Sequence, residues 1–453
     1  MKRTFITLAL LASIAMLTPL TDAVVSTQVV GPPTNVPGID RPVRVVRGRF
    51  TQDLTLTADT YWVLRGTVFI EEPARLFIQP GTHVIGETAT RGTLVVNRGA
   101  QIIADGTVDR PIVFTSDQPP GQRGRGDWGG LIINGRAPIN LPGGVGIGEG
   151  DTGEYGGNDP DDDSGILRYV RVEYAGIEFS PDNELNGIAF QGVGRRTIVD
   201  HVQVSFNKDD GVEMFGGTID LRHVILTSIG DDSIDWTFGW SGRMQFAIVQ
   251  QRGDDADRGI EADNNGNNND LLPRSNPTIY NLTLVGDPDF NEGTESTRGM
   301  TLREGTAGTI RNFIVTGFKD RGVEVSTAST LNQAASGALS LRNGILFFNN
   351  PNVHSSANAL VANAGGTVAQ VDPELIDPFN HQAPDFRPRP GSPALTLTPD
   401  VPPNDGFFEI AQFLGALDAD PEQDWTRGWT NFEQPQGAFR PTVPAPTSRV
   451  RRR

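Results

Sequence analysis

Three carboxylates and an indole stand close together in the segment Gly230-Asp-Asp-Ser-Ile-Asp-Trp236. Paired carboxylates can serve as a general acid and a water-activating base, which is the chemistry of glycoside hydrolysis. The same oxygen atoms could instead hold a metal ion. Aspartates before glycines also form Asx-type corners, in which the side chain binds only nearby backbone. The choice depends on the elements that position Asp231, Asp232 and Asp235.

A repeat positions these residues. Five short strands open with a similar trio of residues, at steps of 22, 26, 40 and 23 residues; the second members of the trios are Gly211, Ser233, Gly259, Gly299 and Gly322. Longer strands alternate with them, as in TIVDHVQVSF (197–206) and TIDLRHVILTS (218–228). A fixed period of this length indicates stacked units that cannot bury their apolar faces alone.

The repeat consists of strands and turns without a helical half. It lacks the signature of leucine-rich repeats, and a propeller blade needs about 40 residues and four strands. Glycines 81 and 99 mark shorter coils of the same kind near the amino terminus. The pattern therefore predicts an all-β fold in which each coil lies on the previous one, a parallel β-helix over residues 45–432.

Several motifs carry a resemblance to known proteins. The chain resembles right-handed parallel β-helix proteins of the pectin-lyase-like superfamily in Leu76-Phe-Ile-Gln-Pro-Gly81, in Ala104-Asp-Gly-Thr107 with Pro111-Ile-Val-Phe-Thr115, and in its Gly-Val-Glu and Gly-Ile-Glu strands. It is similar to a group of secreted bacterial β-helix proteins, many from Bacteroidetes, in Gly126-Asp-Trp-Gly-Gly-Leu-Ile-Ile-Asn-Gly135, Leu167-Arg-Tyr-Val-Arg-Val-Glu-Tyr-Ala-Gly176 and Asp424-Trp-Thr-Arg-Gly-Trp-Thr-Asn-Phe432. The resemblance implies a right-handed solenoid with three parallel sheets. That group has no agreed activity.

Strand parity predicts which side chains of the repeat face outward. Because neighbours in a strand point to opposite sides, Val212 and Ile234 should point into the core, and Glu213, Asp235 and Glu261 should form an outward column. Stacked strands lie about 4.8 Å apart, so like charges in this column would repel one another.

The first residues of the five trios form a second column, in which Asp210 and Asp232 are followed by Arg258, Arg298 and Arg321. A guanidinium can pair bidentately with a carboxylate of a glycan, and an exposed indole can stack on a sugar ring. The residues expected to bind a ligand are therefore Glu213, Asp235, Trp240, Arg258, Glu261, Arg298 and Arg321. We expect Trp236, which has inward parity, to lie in the core.

A catalytic alternative rests on a second resemblance. Asn207-Lys-Asp-Asp210 and Gly230-Asp-Asp232 look like two successive coils of polygalacturonases, which implies catalytic roles for Asp210, Asp231 and Asp232. The next coil of that family carries a histidine and the one after it an Arg-x-Lys segment. Here the corresponding segments are Gly253-Asp-Asp-Ala-Asp257, without histidine, and Arg258-Gly-Ile, without lysine. This departure favours binding over hydrolysis; a lyase that uses an arginine or lysine base is a further alternative.

Two acidic insertions could bind calcium. Asp159, Asp161 and Asp163 alternate as in calcium loops, although the glycine comes one residue late for an EF-hand and no glutamate follows at the twelfth position. The second insertion contains Asp263. Oxygen-only ligands suit Ca²⁺ rather than zinc, and a solvated acidic loop is the alternative.

The ends of the chain and its composition limit the cellular setting. Residues 1–23 read as a secretory signal peptide, residues 24–44 as an extended lead-in or cap, and residues 433–453 as a disordered tail. With no cysteine the chain cannot be a lipoprotein or form disulfides. A net charge of −17 disfavours nucleic acid as a partner. No later segment is apolar enough for a transmembrane helix.

Together these features predict an exported, monomeric binding or surface protein, located outside the cell, at its surface or in the periplasm. The expected partner is a polysaccharide or another cell-surface polymer, bound along the mixed Asp/Glu/Arg face. The alternative is a polygalacturonase-like hydrolase or a lyase.

Overall fold

The structure is a computed structural model that describes residues 24–26, 41–180, 183–291 and 293–434. The predicted signal peptide, much of the predicted lead-in and nearly all of the predicted tail lie outside the described residues. In the described part of the chain, we find no helix with the length and apolar character needed to span a bilayer.

The chain winds into a right-handed parallel β-helix with three sheets, which confirms the predicted fold. One sheet, here called the cleft sheet, contains the short strands of the repeat. The first half of each long strand belongs to the second sheet, and the half after the corner belongs to the third sheet. The long strands turn a corner where one residue in each coil has a positive φ of 50–58°; these residues are Tyr169, His201, His223, Phe246, Asn281, Asn312 and Asn343. The left-handed conformation bends the strand there and sends its second half into another sheet.

The strands of the cleft sheet pair in register from coil to coil. They are Thr93–Val96, Gly130–Asn134, Ile188–Gln191, Val212–Phe215, Ile234–Thr237, Arg258–Ala262, Arg298–Leu302 and Arg321–Val325. The long strands are Gly165–Glu173, Ile198–Ser205, Asp220–Thr227, Arg243–Gln250, Thr278–Val285, Gly308–Thr316 and Leu339–Phe347. The amino-terminal coils use Val43–Phe50, Leu54–Leu56, Tyr61–Ile70, Arg75–Ile78, His83–Gly86, Gln101–Asp105 and Ile112–Ser116.

The interior of the solenoid is apolar along its whole length. The inward positions of the cleft sheet, Val212, Ile234, Ile260, Met300 and Val323, are all fully buried, as strand parity predicts. Burying such side chains contributes about 1.5–3 kcal/mol each relative to leaving them exposed. Because alternate residues must enter this core, the intervening ones are held on the outer face in fixed rows.

Short elements close the ends and form insertions. The strand Val24–Ser26 pairs antiparallel with Val43–Phe50 at the amino-terminal end. The helices Ala328–Ser336, Asn358–Ala362 and Pro393–Thr396 and the strand Val368–Ala369 lie towards the other end. Three two-stranded hairpins complete the structure; their strands are Gly146–Ile147 with Glu154–Tyr155, Glu178–Ser180 with Asn183–Glu184, and Leu375–Asp377 with Asp385–Pro388.

The segment 398–432, here called the strap, lies on the outside of the coils. It starts beside the last coils, where Asn312 Nδ2 donates to Asp400 O at 2.9 Å, and reaches Gln203, whose Nε2 donates to Asn431 O at 2.7 Å. Trp425 and Trp429 pack against the stacked rings of the corner residues. The strap thereby covers outward apolar side chains of the third sheet, and the cleft sheet stays on a different face.

Candidate carboxylate-rich cleft

An open cleft of about 290 Å³ lies over the middle strands of the cleft sheet. Its floor is formed by outward side chains of the strands, and the hairpin at 146–155 forms a wall. The polar and charged residues that line it are Glu149, Gln191, Glu213, Asp235, Thr237, Glu261, Asp263 and Arg303, together with Ile147, Gly148, Tyr155, Phe215 and Phe238.

A column of carboxylates runs along the floor. Glu213, Asp235 and Glu261 are register partners on successive strands, as the repeat predicts. Oxygen atoms of Asp210, Glu213 and Asp235 come within 4.8 Å of one another, and those of Asp232, Asp235 and Glu261 do so as well. Asp235 belongs to both groups, so it is the centre of the column.

Burial and mutual repulsion make these carboxylates weak acids. Burial raises the pKa of Glu213 and of Asp235 well above the usual range, and the charge of the neighbouring carboxylate raises each further. Burial also raises the pKa of Asp263 to about 6 and, with the charge of Glu184, that of Glu149 to about 7. The cleft therefore favours protons or a bound cation over bare negative charge.

Two arginines partly neutralise the column. Arg258 is buried, and its Nη1 lies 3.0 Å from both Asp232 and Asp257 and also contacts Glu261. Arg303 binds Asp263 through two hydrogen bonds of 2.8 and 2.9 Å. The predicted ligand residue Arg258 thus has its charge already matched by carboxylates of the protein itself.

Asp210 and Asp232 hold successive coils together. Asp232 N donates to Asp210 Oδ1 at 3.0 Å, and Arg258 N donates to Asp232 Oδ1 at 2.7 Å. Both side chains are buried. Their sequence separations of 22 and 26 residues make these bonds contacts between coils, unlike the local bonds of the Asx-type corners that the sequence suggests. Asp231 lies beside them, within 4.8 Å of Asp209 and Asp210.

The other two predicted arginines extend the outer face beyond the cleft. Arg298 is the register partner of both Arg258 and Arg321. Arg321 Nη1 lies 2.9 Å from Glu324, and Arg298 Nε lies 3.4 Å from the same carboxylate. They stack in the predicted column but do not line the cleft.

Trp240 is a core residue, which corrects the expectation that it stacks on a sugar. Its side chain is fully buried, its Nε1 donates to Ile219 O at 3.1 Å, and its ring lies 5.6 Å from that of Trp236. The turn that carries Trp240 directs the indole inward, where it belongs to the main apolar core of the solenoid. Trp236 is buried as expected.

The predicted metal ligands separate into two groups. Asp159, Asp161 and Asp163 are exposed, and the first and last accept hydrogen bonds from nearby backbone N–H groups, Asp161 N at 3.0 Å and Gly165 N at 2.9 Å. Within the described ranges, they belong to no group of three converging ligand atoms. Asp263 is buried in the cleft with Arg303.

Sequence reasoning missed several residues that line the cleft or contact its lining. Asn186 occupies the coil before Asp210, and its Nδ2 donates to Glu213 Oε2 at 2.7 Å. Its Oδ1 and the Oε1 of Gln191 are buried without a hydrogen-bond partner in the described structure, as is Asp235 Oδ1. The trio Asn186-Gly-Ile could have revealed Asn186, because it matches the other strand starts. No sequence signal indicates Glu149, which an insertion brings to the cleft.

Comparison with known proteins agrees with this architecture. No curated protein sequence and no solved structure matches the chain. Residues 48–374 match the family described as the pectate-lyase like beta helix domain. The match confirms the resemblance at the level of the superfamily and supports a carbohydrate-related role in general, whereas the narrower similarity to secreted bacterial proteins stays a prediction. Because well over half of its length is matched, the chain belongs to the pectate-lyase-like β-helix family.

Proposed function

We propose that the protein is an exported polysaccharide-binding protein that holds its ligand in the carboxylate-rich cleft with the help of a divalent cation, Ca²⁺. Family membership supports a carbohydrate ligand. The open cleft, which lies on the outer face of the cleft sheet, offers room for one sugar unit of a longer chain. The half-buried Phe238 in its wall offers an apolar surface to a sugar ring.

The observation that carries this proposal is the set of oxygen atoms without partners on the cleft floor. Buried polar atoms are nearly always hydrogen-bonded, so Asp235 Oδ1 and Gln191 Oε1 are exceptions that a bound ion would explain. Asp235 also converges with the carboxylates of Asp210 and Glu213. A set of oxygen ligands with excess negative charge suits Ca²⁺, which takes six to eight oxygens.

Calcium would also reconcile an acidic cleft with an acidic glycan. A cation between the floor and a sugar carboxylate removes the repulsion that two anions would otherwise experience. Direct pairing of Arg258 with a glycan carboxylate, which the sequence suggests, is less suited to binding an acidic glycan, because Arg258 is buried among three carboxylates.

Hydrolysis is the second candidate. Burial and the charge of Asp231 raise the pKa of Asp209 well above its usual range, which is a property of a general acid. Of the three residues first considered, however, Asp210 and Asp232 are buried and accept hydrogen bonds from backbone N–H groups of the next coil. The described residues of the column include no histidine or lysine that would hold a sugar between the acids. These features favour binding.

The test is retention of polygalacturonate by the full-length protein, in millimolar Ca²⁺ and in EDTA, for wild type and Asp235→Asn. We expect retention in Ca²⁺, none in EDTA, and a loss of calcium affinity of about tenfold or more in the variant. Glu154→Gln is the control, because Glu154 belongs to the hairpin that forms a wall of the cleft but does not line the cleft, and it pairs with Arg98 at 2.9 Å. Retention that is equal in EDTA would refute the calcium part. Reducing ends released by wild type and not by Asp231→Asn would favour hydrolysis.

A further inference from the structure

A second cleft, on a different sheet, is basic although the protein carries a net charge of −17. It has a volume of about 290 Å³ and is lined by Arg41, His83, Arg110 and Arg171, with Asp109 the single carboxylate among its lining residues. On an acidic protein, a local excess of guanidinium groups marks a place where an anion is attracted. We call this second cleft the basic pocket.

The third sheet positions two of these side chains. Val113 is the register partner of His83 on one side and of Arg171 on the other, so the imidazole and the guanidinium stand two strands apart on the same outer row. The strap fixes Arg171, whose Nη1 donates to Trp429 O at 3.1 Å; Nε of the same guanidinium lies 3.2 Å from Glu173. The floor of the basic pocket is therefore built before any ligand binds.

Arg110 comes from a tight turn above this floor. The turn is closed by reciprocal backbone hydrogen bonds with Thr107, of 3.0 and 3.2 Å. The guanidinium lies over Gly81, where a β-carbon would come within 3.2 Å of Arg110 Nε. Glycine is favoured at position 81 by its φ of 82°, and its lack of a side chain leaves room for the arginine in the basic pocket.

The basic pocket has hydrogen-bond donors that the protein does not use. Across the ranges that the structure describes, the Arg110 guanidinium makes no hydrogen bond or ion pair. His83 Nδ1 is buried and makes no hydrogen bond of normal geometry in the same ranges, although the imidazole lies against the backbone of Gly81. A buried nitrogen without a well-formed hydrogen bond is uncommon, and here it lines the same pocket as a guanidinium that makes no ion pair.

We propose that the basic pocket binds the carboxylate of a sugar acid. A carboxylate can accept two parallel hydrogen bonds from the Arg110 guanidinium and a third from His83. The volume is at the lower end of the range for small-molecule sites, which fits one sugar ring rather than a longer segment. This inference does not depend on the proposed function, because the acidic cleft uses another sheet and other residues.

The experiment titrates full-length protein with glucuronate and with acetate by calorimetry, in EDTA so that calcium-dependent binding does not contribute. We expect saturable binding of glucuronate that is at least about tenfold tighter than that of acetate. Arg110→Ala should weaken it by about ten- to a hundredfold, which is the effect of losing a charge-assisted pair. Arg195→Ala is the control, because Arg195 is exposed and lies 3.5 Å from Asp161, outside the basic pocket.

Arg110 is exposed, so the variant should fold, and its thermal unfolding curve checks this. Absence of saturable binding, equal affinity for acetate and glucuronate, or unchanged binding in Arg110→Ala would each overturn the proposal. None of these results would bear on retention of polygalacturonate in the acidic cleft, because Asp235→Asn tests that site separately.

Discussion

Replacement of Glu149 by glutamine should make stability less dependent on pH. Glu149 belongs to a short turn between the strands Gly146–Ile147 and Glu154–Tyr155, and burial with the charge of Glu184 raises its pKa from 4.5 to about 7. A pKa displacement of this size corresponds to about 3 kcal/mol in the free energy of unfolding. Because the folded protein holds the proton more tightly than the unfolded chain, this stabilisation is complete below pH 4.5 and is lost as the pH rises through about 7.

Glutamine keeps the shape of the side chain and cannot ionise. Relative to wild type, Glu149→Gln should therefore gain up to about 3 kcal/mol of stability between pH 4.5 and pH 8. Urea unfolding in EDTA, followed by tryptophan fluorescence at several pH values, measures this difference. Glu154→Gln, the same substitution at a glutamate of the same hairpin that does not line the cleft, is the control. A constant difference between wild type and Glu149→Gln over this range would refute the reasoning.

Three further substitutions test other parts of the structure. Arg258→Met should lower the free energy of unfolding by about 3–5 kcal/mol at pH 8, and by less at pH 4.5, because it leaves buried carboxylates unpaired; urea unfolding measures this. Trp240→Ala should cost about 3–5 kcal/mol without lowering glycan retention per folded molecule, and reduced retention would restore its predicted sugar contact. Asn281→Ala should cost about 2–4 kcal/mol, because alanine disfavours a φ of 54° and loses two hydrogen bonds to the strap, whereas Asn281→Gly should recover the backbone part.

The repeat allowed the floor of the cleft to be predicted, because a parallel ladder converts sequence spacing into position. Glu213, Asp235 and Glu261 follow inward residues by one position in each coil, so their stacking needs no knowledge of loops. The same logic placed Trp236 in the core. Prediction worked wherever the residue and its neighbours belong to the periodic part of the chain.

The surroundings of the floor could not be predicted in this way. Glu149 reaches the cleft through an insertion whose conformation no repeat specifies. The pairing of Arg258 with Asp232 and Glu261 depends on rotamers and on how far the loops exclude water. Trp240 follows the last periodic residue of its coil, where parity no longer tells inside from outside. The strap contacts coils that are more than a hundred residues away in sequence.

The strap has a consequence for how the molecule unfolds. In a simple solenoid each coil contacts only its neighbours, so terminal coils can fray one at a time. Here one continuous segment is bonded to Asn312, Asn281, Gln245 and Gln203, which lie on four different coils. Loss of the last coils would pull the strap from the middle ones, so these coils should open as a single cooperative unit. Amide hydrogen exchange in this half of the molecule should then be uniformly slow, and a cut within the strap should convert it into a gradient that is fastest at the carboxy-terminal end.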